Sequence, residues 1–308
     1  MKTRAFVLLR SALTAAACTL SALPAWSQSP GGELDAVVRM GKEIFDHTAV
    51  HPLSQPYVGA QNALNCTSCH LASGTSLHGP SLVGSATAYP AYSPRDQAVL
   101  TLESRIADCF MRSQNGIHPP LGSAVLTALT AYISSLSAGL PMKMNPAAPL
   151  GPLSMKWILR GDEAFWKQSN PQRGQALYSQ RCAGCHGADG QGMGGGMMGG
   201  GMMGGGMMGG GMMTFPPIWG PRSFNAGAGL ADWQKLATFI STAMAQYAGP
   251  VTDADARDIA AFVDSQPRPA FVLKDHLPPA NQMGVYDSGV VEQTQRIVPG
   301  SYRIQTRP

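Results

Sequence analysis

The chain has few charged residues and little imbalance between the two signs. Only 13% of its 308 residues are Asp, Glu, Lys or Arg, and the formal net charge is +4. Three of the basic residues, Lys2, Arg4 and Arg10, lie in the first 27 residues, which contain no acidic residue, so the remainder is close to +1. A nucleic-acid surface requires a basic stripe. The composition therefore argues against a nucleic-acid partner.

Long apolar runs are missing beyond the N-terminus. The first basic residues are followed by an apolar run from Ala12 to Ala25 and then by Trp26-Ser27, which is the pattern of a secretory signal peptide cleaved after Ser27. No later stretch approaches the roughly 20 apolar residues that a transmembrane segment requires. Cys18 lies within this leader, and the small residue three positions before it, Ala15, disfavours a lipoprotein cysteine. We therefore expect an exported protein with no transmembrane segment.

Cysteine is scarce, and four of the six cysteines fall in two motifs of the form Cys-x-x-Cys-His. In such a motif the two thiols meet the vinyl groups of a haem and the histidine reaches the iron. A zinc site would instead place its two Cys pairs about 15–20 residues apart, whereas these pairs lie in opposite halves of the chain. The motifs predict two covalently bound haem c groups and, in an exported chain, a bacterial periplasmic location. The attachment residues are Cys66, Cys69, Cys182 and Cys185, and the proximal iron ligands are His70 and His186.

Apolar residues recur with helical spacing in both halves, and no convincing strand pattern occurs. One helix face carries Leu34, Val38, Gly41 and Phe45, and a later one carries Leu126, Leu129, Ile133 and Leu136. Thr101, Ser123, Asn170 and Thr252 are positioned to cap helices. Gly174, followed by Tyr178 just before the second motif, resembles the glycine in the N-terminal helix of small c-type cytochromes, which implies that it lets the terminal helices cross closely. The expected fold is all-α, with two cytochrome c-like domains.

Composition divides the chain into four parts after the leader is set aside. We expect an N-terminal cytochrome c domain over 28–137, a linker rich in Pro, Gly and Ser over 138–169, a C-terminal cytochrome c domain over 170–268, and an extended tail over 269–308. The second domain contains an insertion at 192–213 that includes four copies of Gly-Gly-Gly-Met-Met. Thioethers suit Cu(I), so this insertion is either a copper-binding loop or a low-complexity segment without a role.

The sixth iron ligand of the second haem is assigned to Met244. It lies on a predicted helix with Trp233, Leu236 and Ile240 on the same face. The alternative is that Met244 is a core residue of that apolar stripe. One of the repeat methionines could also reach the iron, but ordering so glycine-rich a loop would cost entropy.

The first haem has several candidate sixth ligands, namely Cys109, Met111, His47, His51, His78 and His118. Cys109 is the one cysteine left without a motif or a leader to explain it, and Arg105, Cys109 and Ser113 stack on one face of a helix predicted from Thr101 to near Gly116. A cation on each side, Arg105 and Arg112, favours a thiolate. A small buried hydrophobe is the alternative role of a free cysteine.

At this segment the chain resembles the dihaem thiosulfate dehydrogenases. The resemblance is carried by Arg105-Ile-Ala-Asp-Cys109-Phe-Met-Arg-Ser113, by the first haem motif, by Tyr89-Pro-Ala-Tyr92, and by residues 215–229 and 265–269. It implies that Cys109 is the axial ligand of a catalytic first haem, that Arg95, Arg105 and Ser113 line an anion site, and that Met244 ligates the second haem. Some members carry a lysine directly before this methionine and exchange ligands on reduction. Here the residue is Ala243, which argues against that exchange.

The resemblance implies oxidative coupling of two thiosulfate ions to tetrathionate, with electrons passing to a small periplasmic cytochrome or another acceptor, or the reverse reaction. Two other functions remain open at the level of the sequence. One is a thiolate-ligated cytochrome subunit of a sulfur-oxidising complex, and the other is a plain dihaem electron-transfer cytochrome in which Cys109 tunes the potential.

Overall fold

The structure is a computed structural model that describes residues 30–93, 96, 98–144, 162–193 and 215–277. The predicted signal peptide, most of the predicted linker, the Gly-Met copies and the tail beyond Leu277 lie outside the described residues. Arg95 also lies outside them.

The first half is built on three helices, which are α1 Pro30–Asp46, α2 Leu102–Arg112 and α3 Ala124–Ser135. Single 3₁₀ turns occur at Gln55–Tyr57, Cys66–Ser68 and Ser85–Ala88. Helices α1 and α3 cross at Gly41, where a Cβ atom would lie 2.0 Å from the Ala128 carbonyl oxygen. Phe45, Leu126 and Leu129 pack in the core beside this crossing. Leu34 was predicted to share the buried face but is 59% exposed, because it precedes the crossing by about two turns.

A short hairpin corrects the expectation that strands are absent. Strands β1 Ala91–Ser93 and β2 Ala98–Leu100 are antiparallel, with Ala91 opposite Leu100. Each strand has only three residues, too few for a period of two to be recognised in the sequence. The hairpin leads directly into α2, whose first turn is capped by Thr101 through a 3.1 Å hydrogen bond from the Ser104 N–H to its hydroxyl.

The second half contains α4 Glu163–Lys167, α5 Pro171–Arg181, α6 Ala183–His186, α7 Trp233–Phe239, α8 Ala245–Ala248 and α9 Asp253–Asp264. A π-helical segment, Ile240–Met244, joins α7 to α8. The predicted caps at Asn170 and Thr252 are confirmed by hydrogen bonds to their side-chain oxygens. Ser123 holds the predicted N-cap position of α3, but its hydroxyl makes no capping hydrogen bond. The core of this half includes Tyr178, Trp219, Ile259 and Val263.

The predicted close crossing at Gly174 is confirmed. A Cβ atom at this position would lie 1.9 Å from the Asp258 carbonyl oxygen of α9 and 3.0 Å from Phe262 Cβ. Because the obstacle is backbone, the helices themselves must separate to admit a methyl group, which destabilises a packed interior.

Gly174→Ala is therefore expected to lower the free energy of unfolding by about 3 kcal/mol and the thermal midpoint by roughly 6–12 °C. Gly229→Ala is the matched control, because nothing lies within 4 Å of a Cβ atom there. Differential scanning calorimetry of both variants measures the effect. Equal midpoints for the two variants would contradict the close crossing.

The two halves meet along a polar seam formed by the loop after the first 3₁₀ turn and residues 222–228. The Ala63 N–H donates to the Arg222 carbonyl oxygen at 2.9 Å, and the Asn62 side-chain amide donates to the Ser223 carbonyl oxygen at 2.9 Å. The Asn225 side-chain amide donates to the Met111 carbonyl oxygen at 2.8 Å. The first two bonds join the loop to the second half, and the third attaches the end of α2 to it.

Residues 267–277, called the strap below, continue from α9 across this seam. The strap accepts hydrogen bonds from Gly220 and Ala226 through the carbonyl oxygens of Pro267 and Pro269. At its end the buried His276 has its Nδ1 2.6 Å from the Gly116 carbonyl oxygen, and its own carbonyl oxygen accepts from the His118 N–H at 2.9 Å. The start of the predicted extended tail is thus packed against the end of α2.

Among the residues that the structure describes, no helix has both the length and the apolar character needed to cross a membrane.

Candidate functional site

The first Cys-x-x-Cys-His motif is held in place by its own 3₁₀ turn. Asn65 and Ser68 form a capping box around Cys66–Ser68. Thr48, at the end of α1, accepts a hydrogen bond from the Cys66 N–H at 3.1 Å and donates its hydroxyl to the Cys66 sulfur at 3.2 Å. Cys66 and Cys69 are both unpaired and partly buried. Two fixed free thiols with this spacing match the donor set that haem c attachment requires.

The ring of His70 is oriented by a backbone carbonyl oxygen. Its Nδ1 lies 2.7 Å from the Pro80 carbonyl oxygen. Because a carbonyl oxygen can only accept, Nδ1 carries the proton and Nε2 keeps its lone pair. Burial lowers the pKa of His70, and the nearby Arg105 charge acts in the same direction, which keeps the imidazole neutral. A neutral histidine oriented by a carbonyl oxygen is the usual form of a metal ligand.

The second motif repeats this arrangement on α6. His186 Nδ1 lies 2.8 Å from the Pro216 carbonyl oxygen, and burial lowers the pKa of this histidine as well. Cys182 and Cys185 are unpaired. Both donor sets therefore fit a covalently bound haem c with its proximal histidine.

Cys109 lies on α2 under the side chain of Arg105. The Arg105 Nη1 donates to the Cys109 sulfur at 3.5 Å, and the Cys109 sulfur lies 3.4 Å from the Arg105 carbonyl oxygen, which can accept the thiol hydrogen. The pKa of Arg105 is raised, mainly by the negative charge that Cys109 can carry. The Arg105 side chain is only partly exposed.

Cys109 also lies next to the first haem motif. Burial raises the pKa of the Cys66 and Cys69 thiols to about 12, and the charge of Cys109 contributes to the increase in both pKa values. These sulfurs stand where thioether sulfurs would be in the haem-loaded protein. The structure thus brings Cys109, Arg105 and His70 close together. The helical spacing predicted the pairing of Cys109 with Arg105.

Ser113 follows Cys109 by one turn and is the C-terminal cap of α2. Its N–H donates to the Cys109 carbonyl oxygen at 2.8 Å, and its carbonyl oxygen accepts from the Asn62 amide at 3.2 Å. Helix α2 ends at Arg112, which is earlier than the end near Gly116 that the sequence predicted. Arg95 lies outside the described residues.

The other candidate ligands of the first haem differ from Cys109 in their helix face, exposure or hydrogen bonding. Met111 is fully buried and lies about 200° around the helix axis from Cys109. His47 and His78 are exposed, and His51 accepts a hydrogen bond from the Leu53 N–H through Nδ1. His118 is fully buried beneath the strap.

Arg112 does not face the thiol, which corrects the prediction that it supports a thiolate from the second side. Its guanidinium contacts Asp96 and Asp108, donates to the Gly227 carbonyl oxygen, and lies over the Phe271 ring. The i, i+3 spacing of Cys109 and Arg112 suggested a contact, but Arg112 projects toward the second half of the chain instead.

Met244 is displaced from the apolar stripe on which its assignment was based. The segment Ile240–Met244 is π-helical, and such a turn holds more residues than an α-turn and shifts the helix phase. The core position after Ile240 is occupied by Ala243, which is fully buried, whereas Met244 is only half-buried. The π segment therefore turns Met244 out of the core stripe, which argues against its role as an ordinary core methionine.

The two motifs approach each other through Gly79 and Ala243. A Cβ atom on Gly79 would lie 3.7 Å from Ala243 Cβ and 3.7 Å from the Cys69 carbonyl oxygen. Gly79 precedes Pro80, which orients His70, and Ala243 precedes Met244. The loop that supports the first motif thus touches the segment that carries the candidate ligand of the second.

These features define the class of protein, a chain with two cytochrome c domains that bind haem c. A family model described as the SoxA/TsdA cytochrome c domain matches residues 58–142. A second model, described as cytochrome c oxidase, cbb3-type, subunit III, matches residues 169–263. The all-α two-domain fold predicted from the sequence is confirmed, with the hairpin as a small addition.

Relatives narrow this class to one group of oxidoreductases. The chain is 36% identical over 257 residues to the thiosulfate dehydrogenase of Allochromatium vinosum, covering 81% of this chain and 84% of that protein. It is 34% identical over 253 residues to the thiosulfate dehydrogenase of Thiomonas intermedia, covering 80% and 70%. The chain belongs to the thiosulfate dehydrogenase family.

A solved structure agrees with this assignment. The chain is similar to the thiosulfate dehydrogenase (TsdBA) of Marichromatium purpuratum in its as-isolated form, with a TM-score of 0.63 and 33% identity. The match covers 78% of this chain and 48% of that one, so the chain spans about half the length of that protein.

Proposed function

We propose that the protein is a periplasmic thiosulfate dehydrogenase that couples two thiosulfate ions into tetrathionate and passes two electrons to a small periplasmic cytochrome or another acceptor. The observation that carries this proposal is the contact between the Arg105 guanidinium and the free thiol of Cys109 beside the first haem motif. The leader at residues 1–27 would export the chain to the compartment where haem c is attached.

The proposal assigns one haem c to each motif, two in all, within domains at 28–137 and 170–268. Cys66, Cys69, Cys182 and Cys185 hold the two groups, with His70 and Cys109 at the first and His186 and Met244 at the second. When bound, each haem c supplies an iron that accepts one electron at a time. Two such centres match the two electrons that are released when one tetrathionate forms.

Arg105 supports the reaction by offsetting the repulsion between two dianions. A guanidinium binds oxyanions through two parallel N–H groups, and we assign Arg105 to the sulfonate group of a bound thiosulfate. We assign Arg95 and Ser113 to the same anion site. Ser113 lies one turn beyond Cys109 on the same side of α2.

Cys109 acts as the nucleophile in the covalent step. Its thiolate sulfur bonds to the terminal sulfur of the first thiosulfate with loss of two electrons, which pass to the acceptor. The second thiosulfate attacks that terminal sulfur through its own, the bond to Cys109 breaks, and tetrathionate leaves with the thiolate restored. Two thiosulfate ions thus give one tetrathionate and two electrons, and supplied electrons would drive the same steps in reverse.

A partner-free assay tests this function against a subunit of a sulfur-oxidising complex. The purified haem-loaded protein, thiosulfate and an oxidised small cytochrome are expected to give one tetrathionate per two thiosulfate consumed, measured by ion chromatography. Thiosulfate consumption only after addition of a sulfur-carrier protein, with no tetrathionate, would contradict the proposal.

A further inference from the structure

Arg112 sits at the junction between α2 and the second half of the chain. Its side chain is only 11% exposed, and its Nη2 lies 3.0 Å from Asp96 Oδ1. Its Nη1 donates to the Gly227 carbonyl oxygen at 3.4 Å, and its guanidinium carbon lies 4.4 Å from the centre of the Phe271 ring in the strap. The second half and the strap therefore fix where this guanidinium lies.

Asp108 connects Arg112 to the candidate catalytic pair. Its carboxylate is fully buried and lies between two guanidinium groups, with Oδ1 at 3.4 Å from Arg112 Nε and Oδ2 at 3.7 Å from Arg105 Nη1. The same Arg105 Nη1 lies 3.5 Å from the Cys109 sulfur. Arg105 is thus shared between a carboxylate and the thiol, and the field of Asp108 contributes to its raised pKa.

This sharing makes the position of Arg105 sensitive to Arg112. A buried carboxylate requires compensating charge and hydrogen bonds, and Arg112 supplies both to Asp108. Removal of the Arg112 charge would leave Asp108 to draw Arg105 more strongly, and the Arg105 guanidinium would move from the sulfur toward the carboxylate.

We propose that Arg112 is a positioning residue. It holds Asp108 so that the Arg105 guanidinium stays on the Cys109 sulfur, and through its own contacts it makes this placement depend on the docking of the strap and the second half. This inference deepens the proposed function, since Arg105 is the residue assigned there to the substrate anion. The contacts of the Arg112 guanidinium are with Asp96, Asp108, Gly227 and Phe271, so we assign its effect to Asp108.

Charge-selective alkylation of Cys109 tests the proposal without thiosulfate. In the haem-loaded chain without its leader, Cys109 is the one cysteine not bonded to haem. Both reagents react only with the fraction of Cys109 that is not bound to iron, so this fraction cancels in the ratio of their rate constants. A nearby guanidinium should then favour the anion iodoacetate over neutral iodoacetamide. The ratio of the two alkylation rate constants is expected to fall about fivefold in Arg112→Gln, the factor that loss of a unit charge a few ångströms away gives in water-like surroundings. Arg105→Gln should lower the ratio at least as much, and Arg112→Lys should lower it less.

Arg257→Gln is the matched control for loss of a buried arginine. Arg257 pairs with Asp258 at 2.9 Å and lies over the Phe165 ring at 4.8 Å, so it has the same kinds of contact as Arg112 within the second half. The alkylation ratio should not change in this variant, whereas a general loss of stability would affect both. Phe271→Leu removes the ring over Arg112 but no charge, and it should lower the alkylation ratio partially. This variant replaces Arg112→Gln as the test if Arg112→Gln fails to fold.

The two proposals fail in different ways. A native ratio in Arg112→Gln or, where that variant does not fold, in Phe271→Leu would overturn the positioning role, as would an unchanged ratio in Arg105→Gln. Absence of tetrathionate formation by the native protein would instead overturn the proposed function, with the alkylation result unaffected. In the active protein, Arg112→Gln should raise the KM for thiosulfate about fivefold, whereas Arg257→Gln should leave it unchanged.

Discussion

Replacement of Cys109 by serine is expected to lower kcat/KM for thiosulfate by at least ~10³-fold, because removal of a covalent nucleophile leaves only binding and charge neutralisation. Serine keeps the size of the side chain and its hydrogen bond to the Arg105 carbonyl oxygen, so the helix should be unaffected. The measurement is thiosulfate-dependent reduction of a small cytochrome by the purified variant, with haem content determined on the same sample.

Met111→Leu is the control for this prediction. Met111 lies on the same helix, is fully buried, and its carbonyl oxygen accepts a hydrogen bond from the Asn225 side-chain amide of the second half. A volume-conserving change there should alter kcat/KM by less than about twofold, since such swaps cost little in a packed core. Activity retained in Cys109→Ser, or lost equally in Met111→Leu, would contradict the assignment of Cys109 and reopen Met111 as a ligand.

Arg105→Gln is expected to lower kcat/KM by about 10²–10³-fold, the usual loss when one fixed donor to a developing negative charge is removed. The effect should appear in both kcat and KM, because Arg105 contacts the Cys109 sulfur and is also the residue assigned to the substrate anion. Steady-state kinetics over a range of thiosulfate concentrations separates the two contributions.

Arg105→Lys provides a graded comparison. Lysine keeps the charge but not the planar pair of N–H groups, so KM should recover more than kcat does. A glutamine variant with unchanged KM and unchanged kcat would show that the anion site lies elsewhere on the protein.

Local signals in the sequence predicted much of the fold. The haem motifs, the caps at Asn170 and Thr252 and the crossing glycine Gly174 each depend on residues close together in the chain, and each is found where it was expected. The pairing of Arg105 with Cys109 belongs to the same group, because the i, i+4 spacing on one helix determines it.

Other features depend on tertiary contacts and could not be predicted in this way. A π-helical segment changes the direction in which Met244 leaves the helix axis. A sequence pattern counted at 3.6 residues per turn does not reveal this change. By spacing alone, Arg112 could have paired with Cys109. Its guanidinium instead contacts three residues that lie far apart in the sequence, namely Asp96, Gly227 and Phe271. The strap has no periodic sequence pattern either. Single contacts, such as that of His276 with the Gly116 carbonyl oxygen, keep it packed against the rest of the chain.

An anaerobic titration of the fully oxidised, haem-loaded protein with thiosulfate tests whether this chain oxidises thiosulfate by itself. The account predicts that the haem absorbance bands shift to their reduced positions, that about two electrons enter each protein molecule, and that tetrathionate appears at one per two thiosulfate consumed. Tetrathionate added to the reduced protein should reverse part of the change. Bands that respond to ascorbate or dithionite but not to thiosulfate would contradict the account and indicate a plain electron-transfer cytochrome.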